Sequence, residues 1–389
     1  MNKGWICCQL GAREHYAVPR ALQHRGLLRE LITDLWIRPE SVLRSFRSGL
    51  AGRFHPSLSA ARVTAPNASA LTFEVRSSLT GETGWNLINK RNDWFQRWAV
   101  DQLSRRERDI HSVFAYSYAA KDIFKFARAR GWRTVLGQID PGPAEERIVA
   151  SLNANHGWSP APAEYWKNWR SECELADQIV VNSNWSRTAL LNEGVAEEKI
   201  RVVPLAFEPT SKSASFERSY PAAFTPERPL RVLFLGQINL RKGAMQLFDA
   251  VNVLCDEAVE FWFVGPLQVD VPAGIKDRIK HFGTASRSDV DRYYRDADVF
   301  ILPTLSDGFG LTQLEAQSWK LPVIASRNCG DVVTDNFNGL LLEEVSATAI
   351  AGTLQQLLSA PEHLQTMSEN SGVDERFSLN SLAATLSGL

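Results

Sequence analysis

Short apolar runs alternate with amphipathic stretches along the first half of the chain. The runs predict strands, and stretches with apolar residues three or four positions apart predict the helices between them. The predicted strands are 5–10, 31–34, 112–118, 134–139, 178–181 and 201–205. The predicted helices are 16–28, 85–110, 121–130, 164–176 and 186–192. This alternation indicates an α/β architecture, in which helices cover both faces of a parallel sheet.

A second series of the same kind begins after residues 208–228, a segment rich in Ser, Pro and charged residues. Its predicted strands are 230–235, 260–264, 280–282, 299–302, 322–325 and 339–342, and its predicted helices are 244–255, 287–297, 311–319 and 347–359. We therefore predict two Rossmann-like domains, 1–207 and 229–372, joined by a linker at 208–228. Ligands bind such sheets at the carboxyl ends of their strands, so we expect the site in a cleft between the domains.

Composition supports this division and excludes other classes of protein. A chain of 389 residues is longer than one hydrophobic core usually supports. With 44% hydrophobic residues and a formal net charge of −1, it is neither disordered nor a dedicated nucleic-acid binder. The charge is uneven, because residues 1–210 hold 28 Lys and Arg against 22 Asp and Glu, whereas residues 211–389 hold 15 against 22. We expect the two halves to meet different partners.

Cysteine spacing and hydropathy give expectations about location. The five cysteines are scattered and lack zinc-ligand spacing, which favours free thiols in a reducing compartment. The apolar run near residue 5 is too short for a signal peptide, and no apolar run is long enough to span a bilayer, so we expect a cytoplasmic protein. Residues 38–62 carry five arginines against one acid. This stretch could contact anionic lipid at the inner face of a membrane, or it could be a solvated basic segment.

A glycine-containing turn after the predicted strand at 299–302 carries the first candidate chemistry. The strand is followed by Asp307, Gly308, Phe309 and Gly310, and a helix is predicted to begin at Leu311. Glycines let a ligand approach the backbone, and the free N–H groups of a first helical turn attract an anion such as a diphosphate. Glu315, about two turns further on, could accept hydrogen bonds from sugar hydroxyls. The alternative is an ordinary helix start with two solvated acids.

A second glycine turn follows the predicted strand at 230–235. Gly236 and Gln237 come directly after this strand, and Lys242 stands just before the next helix. Gly265 follows the next predicted strand in the same way. A cation that faces the cleft there would neutralise a leaving diphosphate. Taken alone, Lys242 is equally well explained as a surface lysine.

Together these segments resemble the signature region of glycosyltransferase family 4. The resemblance rests on Asp307-x7-Glu315, on Lys242-Gly243 before it, and on residues 321–326 and 338–340 after it. It implies a retaining enzyme of the GT-B fold that uses a nucleotide-diphosphate sugar, with UDP or GDP expected, and no metal. It also implies that Asp307 lies near the donor sugar, Glu315 at the ribose and Lys242 at the phosphates. Residues 373–389 would form a terminal helix that returns to the first domain.

The sequence departs from the family pattern at several positions. Asp307 replaces a glutamate, and Gln237 replaces an arginine, for which Arg241 is either a substitute or a solvated residue. Many members carry a catalytic His after the fifth strand of the first domain, where this chain has Gln138 and Asp140. The sequence does not decide between these two. Asp140 could contact the donor sugar or an acceptor hydroxyl, or simply form a turn with the next residues.

The first domain is the expected acceptor side. Gly11 is predicted to let the backbone approach the donor, and Arg13, Glu14 and His15 either meet the acceptor or begin a helix. The predicted catalytic residues are Lys242, Asp307 and Asp140. The predicted donor-binding residues are Gly11, Gly236, Gln237, Lys242, Gly265, Asp307, Gly308, Phe309, Gly310, Leu311 and Glu315.

The function predicted from these features is a hexosyltransferase-type glycosyltransferase with a glycan or lipid-linked acceptor, as in polysaccharide biosynthesis. Aspartate pairs at 289/291 and 296/298 imitate a metal-binding motif of another glycosyltransferase fold, but they fall on or beside a helix, so we expect no metal. Two alternatives stay open. One is a noncatalytic nucleotide-sugar-binding protein, and the other is a GT-B nucleotide-sugar epimerase.

Overall fold

The structure, a computed structural model, describes residues 4–41, 50, 52–106, 112–152 and 159–389. Arg44 and Arg47 of the predicted basic stretch lie outside the described residues, as does the end of the helix predicted at 85–110. Two separate all-parallel sheets, each accompanied by helices, confirm the predicted fold class.

Seven parallel strands form the sheet of the first domain, in the order β3-β2-β1-β4-β5-β6-β7. Their bounds are β1 Trp5–Gln9, β2 Leu28–Thr33, β3 Val63–Thr64, β4 Ser112–Tyr116, β5 Arg133–Gly137, β6 Gln178–Val181 and β7 Ile200–Val202. Every residue of β1 and β4 is buried, because helices cover both faces of the sheet. This two-sided burial explains why the central strands read as continuous apolar runs.

Seven helices surround this sheet. They are α1 Ala17–His24, α2 Asn67–Leu79, α3 Gly84–Ser104, α4 Lys121–Ala129, α5 Pro143–Leu152, α6 Ala163–Leu175 and α7 Asn184–Asn192. The buried Glu172 carboxylate of α6 accepts hydrogen bonds from the backbone N–H groups of Tyr118, Ala120 and Lys121 at 2.7, 2.8 and 3.1 Å. A side chain of one helix thus caps the start of another and fixes α4 against α6.

The second domain contains a six-stranded parallel sheet in the order β10-β9-β8-β11-β12-β13. Its strands are β8 Leu230–Leu235, β9 Val259–Val264, β10 Ile279–His281, β11 Val299–Leu302, β12 Val323–Ser326 and β13 Gly339–Leu342. A short helix α8, Ser211–Ala214, precedes the sheet, and α9 Ala244–Val253, α10 Arg287–Asp296, α11 Thr312–Ser318, α12 Ala347–Ser359 and α13 Glu362–Asn370 accompany it. The central strands β8 and β11 have the predicted bounds.

The segment predicted as a linker is anchored on the second domain. The Arg218 guanidinium donates hydrogen bonds to the backbone oxygens of Tyr294 and Trp319, at 2.7 and 3.1 Å. These carbonyls lie near the C-terminal ends of α10 and α11, where a cation satisfies the free acceptors of the last turn. The segment therefore belongs to the packing of the second domain for part of its length.

The last helix, α14 Leu379–Gly388, completes the core of the first domain. Its buried residues Leu382, Ala383 and Leu386 share one apolar cluster with Trp5 and Leu22. The two domains are thus connected twice, once through residues 203–229 and once through the segment before α14.

The sequence pattern missed the strand β3 and the helices α2, α5, α8 and α13. Of the two roles left open for Arg13, Glu14 and His15, the start of a regular helix is not what the structure shows. Glu14, His15 and Tyr16 take left-handed backbone angles, with φ of 50°, 50° and 62°. Non-glycine residues seldom adopt this conformation, and it tends to occur at functional loops.

Candidate active site

The two domains touch where the carboxyl ends of their central strands face each other. Gly308, after β11, packs against the backbone that follows β5. A Cβ atom on Gly308 would lie 2.2 Å from the carbonyl oxygen of Ile139, a distance that no side chain tolerates. Glycine is therefore required here for the close approach of the domains.

Lys242 and Asp307, both predicted as catalytic, form an ion pair in this region. Lys242 ends a short 3-10 turn between β8 and α9, and the Asn239 side chain caps that turn by accepting a hydrogen bond from the Lys242 backbone at 3.1 Å. Burial, with the nearby charge of Arg241, lowers the pKa of Lys242 to about 7, whereas the contact with Asp307 favours the charged ammonium. An anionic ligand would stabilise that charge further.

Arg241 lies in the same cluster and not in solvent. Its Nη1 donates a hydrogen bond to the backbone oxygen of Ser306 at 2.8 Å and lies 3.8 Å from an Asp307 oxygen. Gln237, predicted to bind the donor, has an exposed side chain. Of the two readings left open by the sequence, the structure therefore supports Arg241 as the second cation of the cleft.

Glu145 and Ser306 are residues of this cluster that the sequence analysis missed. Glu145, on α5 of the first domain, accepts a hydrogen bond from the Ser306 hydroxyl at 3.0 Å and lies 3.4 Å from Arg241. Burial, with the charge of Asp140, raises the pKa of Glu145 to about 7. The available signal was a pair of acids in the first turn of an unrecognised helix, directly after the strand end that carries Asp140.

The glycines that follow β8 and β9 have different roles. Gly236 has φ of 142°, and a Cβ atom on it would meet open space. A Cβ atom on Gly265 would lie 1.9 Å from the oxygen of Gly236. Gly236 therefore leaves room for a ligand, whereas Gly265, predicted as donor-binding, is required for the packing of the two loops.

The helix start predicted to bind an anion is shorter than expected. α11 has only seven residues and begins at Thr312, so Leu311 is its N-cap residue. The side chain of Phe309 is buried and packs edge-on against Phe377, so only the backbone of Phe309 could contact a ligand. Glu315 accepts a hydrogen bond from the hydroxyl of Tyr294, on α10, at 2.6 Å.

On the first-domain side, the structure distinguishes Asp140 from Gln138. Gln138 is buried, accepts a hydrogen bond from Trp169 at 3.0 Å, and donates one to the Asp140 backbone at 2.9 Å. The Asp140 carboxylate accepts hydrogen bonds from the Tyr118 hydroxyl at 2.5 Å and the Gly142 N–H at 2.8 Å, and it lines a large cavity. Gln138 therefore positions Asp140, and Asp140 is the residue that faces open space.

The loop after β1 borders the same cavity. The Gly11 N–H donates a hydrogen bond to Asp34 at 2.8 Å. Glu14 turns inward and accepts a hydrogen bond from Tyr116 at 3.0 Å, and burial raises its pKa. Arg13 is exposed, with its guanidinium 5.8 Å from the centre of the Tyr116 ring. Of the three polar residues predicted to meet an acceptor, Arg13 is the one that lines the cavity.

Metal-ligand clusters and membrane-spanning helices are both lacking in the described parts of the chain. Residues 4–41, 50, 52–106, 112–152 and 159–389 contain no grouping of three or more His, Cys, Asp and Glu side chains placed to hold a metal ion. None of the helices in those ranges combines the length and the apolar character needed to cross a membrane. Of the aspartates that imitate a metal motif, Asp298 has a structural partner, the Arg228 guanidinium at 2.6 Å.

Comparison with known proteins agrees with this architecture. Residues 216–372, which include the whole second sheet, match the model of the family "Glycosyl transferases group 1". The chain can be superposed on sucrose-phosphate synthase from Thermosynechococcus elongatus with a TM-score of 0.69 and 17% identity, covering 99% of this chain and 98% of that one. Anabaena HepE, solved in complex with UDP, gives a TM-score of 0.62 and 15% identity, with 99% and 100% covered. The fold is therefore GT-B.

Sequence relatives carry glycosyltransferase names. D-inositol 3-phosphate glycosyltransferase of Thermobifida fusca is 25% identical over 247 residues, which cover 56% of each chain. The amylovoran biosynthesis glycosyltransferase AmsK of Erwinia amylovora is 26% identical over 185 residues, covering 43% of this chain and 44% of that protein. The chain spans about half the length of the curated relatives it matches. The GT-B fold inferred from sequence is confirmed, residues 216–372 match the group 1 family, and the narrower assignment to family 4 stays a prediction.

Proposed function

We propose that the protein transfers a sugar from a nucleotide-diphosphate sugar, bound by the second domain, to an acceptor bound by the first. The observation that carries this proposal is the pair of cations Arg241 and Lys242, held at the carboxyl end of β8 and facing the first domain. Two adjacent cations in a partly buried cleft attract a diphosphate and stabilise the charge that develops as it leaves.

The charge balance of the cluster supports a site for an anion. Asp307 and Glu145 compensate the two cations from opposite domains. A bound diphosphate would take over part of this compensation. Asp307 would then be released from Lys242 and could accept a hydrogen bond from a sugar hydroxyl. Glu315 would accept hydrogen bonds from the ribose, as the sequence resemblance implies.

We further propose that transfer retains the anomeric configuration. This rests on the sequence resemblance to family 4, and the hydrogen bonding of Asp140 supports it. Asp140 accepts hydrogen bonds from the Tyr118 hydroxyl and the Gly142 N–H. A carboxylate so engaged is a weak nucleophile, which favours departure of the diphosphate and same-face attack by the acceptor over a covalent intermediate. In this scheme Asp140 orients the acceptor hydroxyl or the donor sugar.

The first experiment is a calorimetric titration of the full chain with UDP, GDP and ADP and with their sugars. We expect binding of one nucleotide, with UDP tested first because Anabaena HepE was solved with UDP and with UDP-glucose. Lys242→Ala should weaken that binding about ten- to a hundredfold, because a hydrogen bond to a charged group contributes about 1.5–3 kcal/mol. Turnover with the matching sugar should be lost.

Lys280→Ala is the matched control, since Lys280 pairs with Glu260 on the surface of the same domain. Circular dichroism of each variant checks the fold. If no nucleotide sugar is bound or hydrolysed, the proposed function fails, and an unaffected Lys242→Ala variant would remove the role given to Lys242. Binding without transfer or hydrolysis would instead indicate a noncatalytic binder, and release of an altered free nucleotide sugar would indicate an epimerase.

A further inference from the structure

A cavity of about 1340 Å³ opens in the first domain beside the cleft. Its inner end is lined by Gly11, Arg13 and Asp140, at the carboxyl ends of β1 and β5, and its outer wall is formed by α2 and α3. Small-molecule sites usually measure about 300–1,000 Å³, so this space is larger than one sugar unit requires. Because its inner end borders the proposed reaction centre, an acceptor bound there would extend outward along α2 and α3.

The outer wall is apolar and exposed. Val75 and Leu79 of α2 and Ile88 of α3 are 60%, 83% and 37% exposed, and all three line the cavity. They make up three of the seven exposed large apolar side chains found among the described residues. Exposed apolar side chains normally occur singly, scattered over a protein surface. A cluster of them therefore marks a binding site.

The wall is a fixed surface. The Arg91 guanidinium of α3 binds the Glu74 carboxylate of α2 through two hydrogen bonds of 3.0 Å each. On the same pair of helices, the rings of Phe73 and Trp94 stack with their centres 5.3 Å apart. These two contacts hold α2 and α3 together while the apolar side chains between them stay exposed.

The inner end offers a positive charge. Arg53 and Arg91 also line the cavity, but Asp34 and Glu74 neutralise them. The ion pairs formed within the described residues include none with Arg13, whose guanidinium is exposed beside the Tyr116 ring. A phosphate group at the inner end would therefore meet an exposed cation, with Glu14 and Asp140 as the neighbouring carboxylates.

We propose that the acceptor is an amphiphile with a long aliphatic chain and a phosphate head, as in a lipid-linked saccharide. This inference rests on the proposed function and names the substrate class of its acceptor side. The chain lies on Val75, Leu79 and Ile88, the phosphate pairs with Arg13, and the accepting hydroxyl reaches Asp140. Burial of an aliphatic chain becomes more favourable with each CH₂, whereas a saccharide placed on the same wall would lose hydrogen bonds to water without replacement.

The test uses alkyl phosphates as probes of the full chain. We expect calorimetry to show dodecyl phosphate, held below its micelle concentration, binding at least tenfold more tightly than hexyl phosphate, and inorganic phosphate binding weakest. The double variant Val75→Asp/Leu79→Asp should weaken dodecyl phosphate at least tenfold and leave UDP affinity unchanged. Arg13→Gln should weaken dodecyl phosphate while leaving the binding of the neutral dodecyl maltoside intact.

Val253→Asp is the matched control, because Val253 is a valine 55% exposed at the end of α9 in the second domain. The inference is overturned if affinity does not depend on chain length, or if Val253→Asp has the same effect as the double variant. It is also overturned if the unchanged protein does not bind dodecyl phosphate and the double variant instead abolishes one of two other associations. These are binding to phosphatidylcholine vesicles and self-association measured by sedimentation. These outcomes would assign the wall to a membrane or to a second copy. UDP binding is measured separately, so failure of the proposed function would appear as an absence of UDP binding.

Discussion

Glu145 is the first-domain carboxylate that meets the charged side chains of the second domain. It accepts a hydrogen bond from Ser306 and lies 3.4 Å from Arg241. Burial is the main reason that its pKa rises to about 7 from the ordinary value of 4.5. The charge of the cleft therefore changes near neutral pH, before any ligand is bound.

We expect the free energy of unfolding of Glu145→Gln, relative to that of the unchanged protein, to increase as pH rises from about 4.5 to about 7. In this window the folded carboxyl is still protonated, whereas the unfolded one has lost its proton. The unchanged protein therefore loses up to about 3 kcal/mol of stability as pH rises, and the amide, which does not titrate, loses none. Melting temperatures of both proteins at about pH 5 and about pH 8 measure this difference.

Glu197→Gln serves as the control, because Glu197 forms a surface ion pair with Arg187 and is 69% exposed. Its stability difference from the unchanged protein should vary little with pH. A difference for Glu145→Gln that stays constant between the two pH values would contradict the raised pKa.

At the residue scale, the sequence predicted what lies close along the chain. Lys242 and Asp307 stand beside glycine turns at strand ends, and this local pattern identified them. Glu145 could not be found in this way, since it contacts Ser306 only after both domains have folded, across 161 positions of sequence. The choice between Gln138 and Asp140 depended on side-chain direction, which strand alternation near an irregular turn does not determine.

At the scale of elements, the loop between β11 and α11 meets the loop between β5 and α5. Gly308→Ala would place a methyl group 2.2 Å from the oxygen of Ile139, so these loops must separate. Overpacking of this kind costs about 1–3 kcal/mol, and we expect turnover to fall about ten- to a hundredfold. Small-angle X-ray scattering should show a larger radius of gyration for the variant.

Gly274→Ala is the control for this prediction. A Cβ atom on Gly274, in the exposed 3-10 turn Ala273–Arg278, would meet no atom within 4 Å. It should change neither turnover nor the radius of gyration. If Gly308→Ala retains full activity and the same radius, the contact between the loops is not needed for the reaction.

Most strands were predictable, whereas α2 and α5 were not, and burial explains the difference. β8 and β11 are enclosed by helices, so their sequences are almost wholly apolar. Among its residues, α2 buries only Ala70 and Ser77, and α5 buries only Pro143. Neither helix has a continuous apolar stripe, so the periodicity that signals a helix is weak. On α2, the exposed apolar residues Val75 and Leu79 line the cavity.

At the scale of the whole molecule, the first domain depends on residues far from it in sequence. Ala383 of α14 is fully buried in the core that holds Trp5 and Leu22. We expect Ala383→Glu to destabilise the first domain by about 3–5 kcal/mol, because it buries a charge with no partner. Chemical denaturation, followed by tryptophan fluorescence, measures the loss.

Ala384→Glu is the matched control, since the neighbouring Ala384 is exposed on the same helix. It should leave the denaturation midpoint nearly unchanged. Equal effects of the two substitutions would mean that α14 does not pack on the first domain as described. From the sequence, both the terminal helix and its return to the first domain followed only from the resemblance to a known fold.

The return of α14 has a consequence for synthesis. The ribosome releases a chain from its N-terminus, and domains generally fold in that order. Here the core of the first domain lacks Leu382, Ala383 and Leu386 until residues 379–388 emerge. The strands of the second domain, between 230 and 342, are released earlier. The nascent first domain therefore keeps apolar surface uncovered while the second is made, so the domain that is synthesised first is completed last.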